Sequence, residues 1–163
     1  MSQENKSRTT AKVVIERTYR ASLEDVWDLW TTKEGFESWW GPEGFCAEVS
    51  EIDARVGGAL RYDMIAASPA MIAAMKQMGQ PTSHPTRARF TEMKPRERLV
   101  ITSVIDFLPN VATYESDIAV DFLSIGSGIR MVVTLDAMHC DEFTKMQKDG
   151  FTSQLTKLDK RFA

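Results

Sequence analysis

Hydrophobic and polar residues alternate along most of this chain with a period of two, and two segments break that rhythm with a period near three and a half. The first alternating run is Ala11–Arg20, where Val13, Ile15 and Tyr19 interleave with Val14, Glu16 and Thr18, the signature of a strand with one better-buried face. Ser22 then opens a helix: its hydroxyl can cap the free N–H groups of the first turn, and Glu24 and Asp25 sit at the positive helix end. Leu23, Val26, Trp27 and Trp30 share one face of it. Lys33-Glu34-Gly35 breaks that run, and a short aromatic stretch from Phe36 to Gly41 ends at Pro42.

From Phe45 onward the pattern predicts strand after strand: Phe45–Ala54, Ala59–Ala66, Thr86–Met93, Glu97–Phe107, Val111–Leu123 and Ser127–Met138. The turns between them are short and rich in Gly, Pro and Asn, as at Val56-Gly57-Gly58 and Leu108-Pro109-Asn110. Connections of this length join antiparallel neighbours. Alternation is cleanest in Tyr114–Leu123, where Tyr114, Ser116, Ile118, Val120 and Phe122 face one way and Glu115, Asp117, Ala119 and Asp121 the other. The last segment, Asp141–Phe162, has helical periodicity: Phe143, Met146, Gly150, Phe151, Gln154, Leu155, Leu158 and Phe162 form one stripe, with Lys145, Lys148, Lys157 and Lys160 opposite.

The order predicts an α+β fold in which a curved antiparallel sheet of six to seven strands coils around a long C-terminal helix. One helix does not fill the whole hollow, so the space between it and the concave face is the candidate binding site. The expected organisation is a disordered tail over residues 1–10 and one domain over 11–163. Within that domain, 67–85 is an inserted helix and loop: Ser68 is a good N-cap, Pro69 suits the first helical position and Gly79 the stop.

Composition narrows the function. With 20 Lys and Arg against 23 Asp and Glu the net charge is −3, which argues against a nucleic-acid surface. No apolar run approaches the ~20 residues of a membrane helix, and the polar start Met1–Thr10 has no apolar stretch of a secretory signal. Cys46 and Cys140 read as two thiols in a reducing compartment, so a cytoplasmic protein is expected.

Several candidate chemistries are weak. His84 sits in a proline-flanked loop and His139 near the start of the last helix, neither in a catalytic motif; both read as surface or helix-end residues. His139-Cys140-Asp141-Glu142 lacks metal-ligand spacing. No metal, no cofactor and no catalytic residue is therefore expected. Asp53 and Arg55 read as an ion pair fixing the Gly-Gly turn, or as a polar group at the cavity mouth.

Four segments in fixed order, Ala21-Ser22-Leu23-Glu24-Asp25-Val26-Trp27, Trp39-Trp40-Gly41-Pro42, Asp53-Ala54-Arg55-Val56-Gly57-Gly58 and Pro95-Arg96-Glu97-Arg98-Leu99, resemble the START-like (SRPBCC) superfamily. Within it they resemble the mostly bacterial branch named after the activator of the heat-shock protein 90 ATPase. The resemblance runs from Lys12 to the end and implies the helix-grip fold with a hydrophobic cavity. Ser22 stands where many relatives carry Pro, Gly150-Phe151 where Gly-Trp is common, and the inserted residues where relatives have a tight hairpin.

The expected function is binding of a small hydrophobic or amphipathic molecule. Trp39, Trp40, Phe45, Tyr62, Met64, Phe90, Met131, Met146 and Phe151 are expected to line the pocket, with Arg55 and Ser116 as polar contacts. Met71, Ile72, Met75 and Met78 on the inserted helix form a flexible apolar stripe, read as a lid or a homodimer contact. A chaperone-regulating interaction module is the alternative, and a cyclase or hydrolase that works by shaping its substrate is a third.

Overall fold

The strand alternation and the two helical stripes account for nearly every element of the computed structural model, which describes residues 12–163. β1 (Val13–Tyr19) is followed by α1 (Leu23–Thr31) and α2 (Lys33–Glu37). Then come β2 (Phe45–Ile52), β3 (Ala59–Ala66), α3 (Pro69–Gln77), β4 (Ser83–Lys94), β5 (Arg98–Ile105), β6 (Tyr114–Ile125), β7 (Gly128–Leu135) and α4 (Asp141–Arg161). The strands form one antiparallel sheet in the order β1-β7-β6-β5-β4-β3-β2. The expected tail over residues 1–10 lies outside the described residues.

The capping chemistry is as the sequence dictates. Ser22 Oγ accepts the Asp25 N–H at 3.0 Å, and Ser68 Oγ accepts the Met71 N–H at 3.1 Å. Gly79 follows α3 at φ +72°. One expectation fails: Lys33-Glu34-Gly35 does not simply break the chain but begins α2. Thr32 accomplishes this, ending α1 and at once capping the next helix by accepting the Gly35 N–H at 3.0 Å.

Register shifts at Val49/Glu51 in β2 and Phe90/Glu92 in β4 are bulges, which increase local twist and curl the sheet. The Gly57-Gly58 turn is sterically obligatory at its second position. A Cβ at Gly58 would stand 1.8 Å from the Asp53 carbonyl oxygen, while the Gly58 oxygen accepts the Phe90 N–H at 3.0 Å. That turn fastens the β2–β3 hairpin onto β4.

Inside the curl, Leu99, Val120, Val133, Leu135, Ile129 and Met131 are buried against Leu155 and Leu158 of α4 in one continuous core. The second half of α4 is clasped from several sides. The Tyr19 hydroxyl donates to Asp159 at 2.9 Å and Arg17 pairs with the same carboxylate at 3.3 Å. Gly41 donates to Gln154, Glu43 donates to Ser153, and Lys157 donates to the Phe45 carbonyl. Lys157, expected on the solvent side, is instead turned in toward β2, and partial burial holds its ammonium below the usual lysine range. The first half of α4 has lighter anchors: Phe143 lies 4.6 Å from the His139 ring, and Thr144 accepts the Met138 N–H at 2.8 Å.

Candidate ligand site

The strand registers place side chains on the concave face in rows. Across the middle run Leu99, Val120 and Val133, which belong to the core. Two rows higher the side chains become short: Ala88 stands opposite Ser103, and Ser103 opposite Ser116. Short side chains on three adjacent strands make this the least bulky row of the face. The next row pairs Tyr62 with Thr86 and Ile105 with Tyr114, and at the rim Met64 faces His84. Along α4, Gln147, Phe151 and Gln154 repeat on one face at helical spacing.

One end of this space is closed by rings. Trp30, Phe36, Trp39, Trp40, Tyr62 and Phe151 pack with centroid separations between 4.4 and 6.3 Å. Hydrogen bonds fix two of the indoles: Trp39 Nε1 donates to the Leu29 carbonyl at 2.8 Å, and Trp40 Nε1 to the Tyr62 hydroxyl at 3.0 Å. The Tyr62 hydroxyl also bonds the Thr86 side chain, and burial pushes its pKa up.

Beside the rings and toward the rim, several buried polar atoms are incompletely partnered. Gln154 is only 3% exposed; its Oε1 accepts the Gly41 N–H at 2.7 Å, and its Nε2 has no partner. Gln147 Oε1 and His84 Nε2 are likewise buried without one. The His84 ring sits edge-on to Phe107 at 4.3 Å. Tyr114 meets His139 Nδ1 at 3.0 Å, and Ser116 is buried with its hydroxyl 3.9 Å from the Met138 sulfur.

Several anticipated residues come together here. Trp40, Tyr62 and Phe151 form the closed end, Met64 the rim, and Ser116 the row of short side chains. Phe45 opens β2 at the side of the same space. Others lie elsewhere. Trp39 is sealed inside the ring cluster, while Phe90 and Met131 are fully buried in the core.

Two placements are corrected. Met146 is 58% exposed, because the buried stripe of α4 runs through Gln147 rather than Met146, about 100° further round the helix. Arg55 points out from the β2–β3 turn, its Nε 2.8 Å from Asp53 Oδ2, so it fixes the turn and does not reach the concave face.

Sequence reasoning missed His84, Thr86, Ser103, Gln147 and the open side of Gln154. The signal was present in β4: counting back in twos from buried Phe90 gives Ala88, Thr86 and His84 on one face. Pro85 hid it by suggesting a loop. The β4–β5 ladder starts only at Ala88 and Ser103, so Ser83–Arg87 pairs with β3 alone, and such a one-sided stretch tolerates proline.

Grooves on the outer surface are different in kind. An open one of about 370 Å³ is bordered by Ser50, Arg61, Asp63, Arg87 and Asp106 and also reaches Tyr62, Pro85 and Thr86; Arg61 pairs with Glu51 and Arg87 with Asp106. No metal-ligating cluster of three or more His, Cys, Asp or Glu occurs among the described residues, and no helix there is long and apolar enough to cross a membrane.

A sheet gripping a helix, with aromatics at one end and the Asp53–Gly58 turn at the edge, has a counterpart in known sequences. Residues 20–163 match the model of the family described as activator of Hsp90 ATPase homolog 1-like protein. The chain belongs to this family.

Solved structures agree on the fold. Protein CV1439 from Chromobacterium violaceum superposes with a TM-score of 0.75 at 21% identity, covering 93% of this chain and 96% of that one. The AHSA1 protein from Silicibacter pomeroyi gives 0.70 at 20% identity, with 91% and 94% covered. The AHSA1-like protein from Aeromonas hydrophila gives 0.66 at 17%, with 93% and 94% covered. No curated protein matches the sequence. At these identities the solved structures share the helix-grip architecture with this chain.

Proposed function

We propose that this protein binds a small, largely apolar molecule between the concave face of β3–β6 and the first half of α4. The observation that carries the reading is the row Ala88, Ser103 and Ser116 on a face whose margins hold buried polar atoms without partners, His84 Nε2 two inner positions from Ala88 along β4 and Gln147 Oε1 on α4. Buried donors and acceptors are costly when unanswered, and a ligand in the space left by the short side chains would answer them. The aromatic end supplies flat apolar surface, each ring contact worth on the order of 1 kcal/mol beyond burial.

Two substitutions test it. Ser103→Leu and Ala88→Leu put bulk into the row without touching the ring cluster. Ligands drawn from a panel of aromatics, sterols and fatty acids are expected to raise the melting temperature of the parent protein and not of either variant. A panel that stabilises neither parent nor variants would leave the space without a binding role.

A second reading concerns α3. Met71, Ile72 and Met75 are half-buried and Met78 is 63% exposed, and a Cβ at Gly44 would lie 3.3 Å from the Met71 methyl. The helix is thus seated on the 41–45 loop with an apolar end in solvent, an arrangement suited to a rim element or a contact with another protein. Sedimentation of the parent and of Met78→Lys tests the self-association form of this reading; the activator role in the family's description belongs to the protein it names.

A further inference from the structure

The sheet is open, and its two edge strands are finished differently. On β2 the Val49 N–H donates to Glu37 at 2.7 Å and the Phe45 carbonyl accepts from Lys157 at 3.0 Å, so side chains from α2 and α4 occupy its backbone groups. On β1, among the described residues, no backbone hydrogen bond joins residues 13–19 to anything but β7. Extensive backbone contact is likewise with β7 alone. The side chain that does reach this backbone is its own Arg17, which donates to the Glu16 carbonyl at 2.9 Å.

The direction of the free groups follows from the ladder. The Asp136 N–H goes to the Asp117 carbonyl of β6 at 3.0 Å, so even-numbered residues at this end of β7 serve β6 and odd-numbered ones serve β1. Val13 stands opposite Leu135, and the register does not shift along the pair. β1 therefore spends the backbone groups of Val13, Ile15, Arg17 and Tyr19 on β7, and those of Val14, Glu16 and Thr18 face outward. The side chains of these three lie on the convex face, where Val14 is 58% exposed and Glu16 and Thr18 are exposed as well. β1 has neither the proline nor the bulge that commonly blunts such an edge.

We propose that β1 is a self-recognition edge: two copies of this chain pair their β1 strands antiparallel about a two-fold axis at Val14, joining two sheets into one. This register sets Val14 against Val14 and, on either side of it, Lys12 against Glu16 of the other copy. Opposite charges and matched apolar side chains directly across an antiparallel pair are favourable, and like charges are not. Neighbouring registers are poorer. Centring on Ile15 would set Val14 against Glu16, and centring on Glu16 would oppose two carboxylates. Lys12 already meets Asp136 of its own sheet, so its ammonium would lie between two carboxylates. Charge at an edge ordinarily deters pairing; here it deters other sequences and matches its own copy. Arg17 leaves the Glu16 carbonyl as the strands close and keeps its ion pair with Asp159 at 3.3 Å. One strand pair is a small contact, so the dimer is weak and forms with rising concentration.

Charge reversal tests the register without touching the core. Sedimentation is run on the full chain, on Lys12→Glu, on Glu16→Lys and on an equimolar mixture of the two variants. The parent is expected to dimerise as concentration rises. Each variant alone should do so at least ~10-fold more weakly, because each brings like charges together twice. The mixture restores both opposite pairs and is expected to recover the parental affinity. A mixture that associates no better than its separate components, or a parent still monomeric at about 1 mM, would overturn the inference. Met78→Lys is expected to leave the dimer intact; a dimer lost with that substitution would move the contact to α3 and overturn it equally.

Discussion

Gln154 reaches from the last helix to accept the backbone N–H of Gly41 at 2.7 Å, a buried bond joining residues 113 apart in sequence. It ties α4 to the loop that follows the tryptophan pair, where Gly41 holds φ at +106°. Replacing Gln154 by Leu removes the acceptor and leaves the amide donor stranded, at a cost of about 1–3 kcal/mol. Chemical denaturation should show that loss, and Gln154→Glu, which keeps an oxygen in place, should not recover it fully because it buries a charge.

The glycine turns offer a graded comparison. Gly58→Ala drives a methyl into the Asp53 carbonyl at 1.8 Å and should prevent the β2–β3 hairpin from closing, with a loss of several kcal/mol or failure to fold. Gly126→Ala meets nothing within 4 Å, although φ is +47°, and should cost only about 1 kcal/mol. Equal losses at the two positions, measured by thermal melts, would contradict the steric account.

Two indoles, both fully buried, make opposite demands. Trp39 Nε1 donates to the Leu29 carbonyl at 2.8 Å, whereas Trp30 Nε1 has no partner. Changing either to Phe opens a similar void, but only Trp39→Phe also deprives a carbonyl of its donor. It should therefore destabilise by about 1 kcal/mol more than Trp30→Phe, a difference that equilibrium unfolding in urea can resolve.

Alkaline titration reads the tyrosines. Burial, reinforced by the bond to Asp159, holds the Tyr19 phenol well above the usual range, and burial also raises Tyr62. A raised folded pKa means that stability is fully present below the unfolded value near 10 and declines as pH rises beyond it. Absorbance at alkaline pH should show these two phenols ionising late, together with unfolding. Tyr62→Phe should flatten part of the loss of stability above pH ~10.

Much of this fold is written in patterns that act locally. The alternation Ser116, Ile118, Val120 and Phe122 specifies both a strand and its covered face, and Ser22 and Ser68 mark helix starts by a hydroxyl-to-amide bond formed within four residues. The ring cluster was also legible, because Trp39, Trp40 and Phe36 have few places to go but inside. The polar recess was not. Ala88, Ser103 and Ser116 become neighbours only through the registers of three strands, and nothing in the local sequence of any one of them announces a shared row. The Met146 placement failed for a related reason: a helical stripe read from sequence can shift by one residue at its margin, where few contacts fix the phase of the helix.

Hydrogen exchange should separate the two halves of α4. Leu155 and Leu158 belong to the core and share their half with the anchors to Tyr19, Gly41, Glu43 and Phe45. Amides from Gln154 to Arg161 should exchange on the timescale of global unfolding, and those from Phe143 to Gln147 well before it. Uniform protection along the helix would show that the lighter anchors at His139 and Met138 are sufficient.

Mechanically, α4 is a beam built in at one end. Its far half is fixed by packing and by several hydrogen bonds, while its near half is held by a ring contact and one threonine. A beam held this way bends about its clamp, so a small rotation near Phe151 lifts Gln147 and Phe143 without parting Leu155 or Leu158 from the sheet. If the proposed binding holds, the size of molecule accepted would be set by the stiffness of a few turns of helix, with a cost that grows smoothly with thickness.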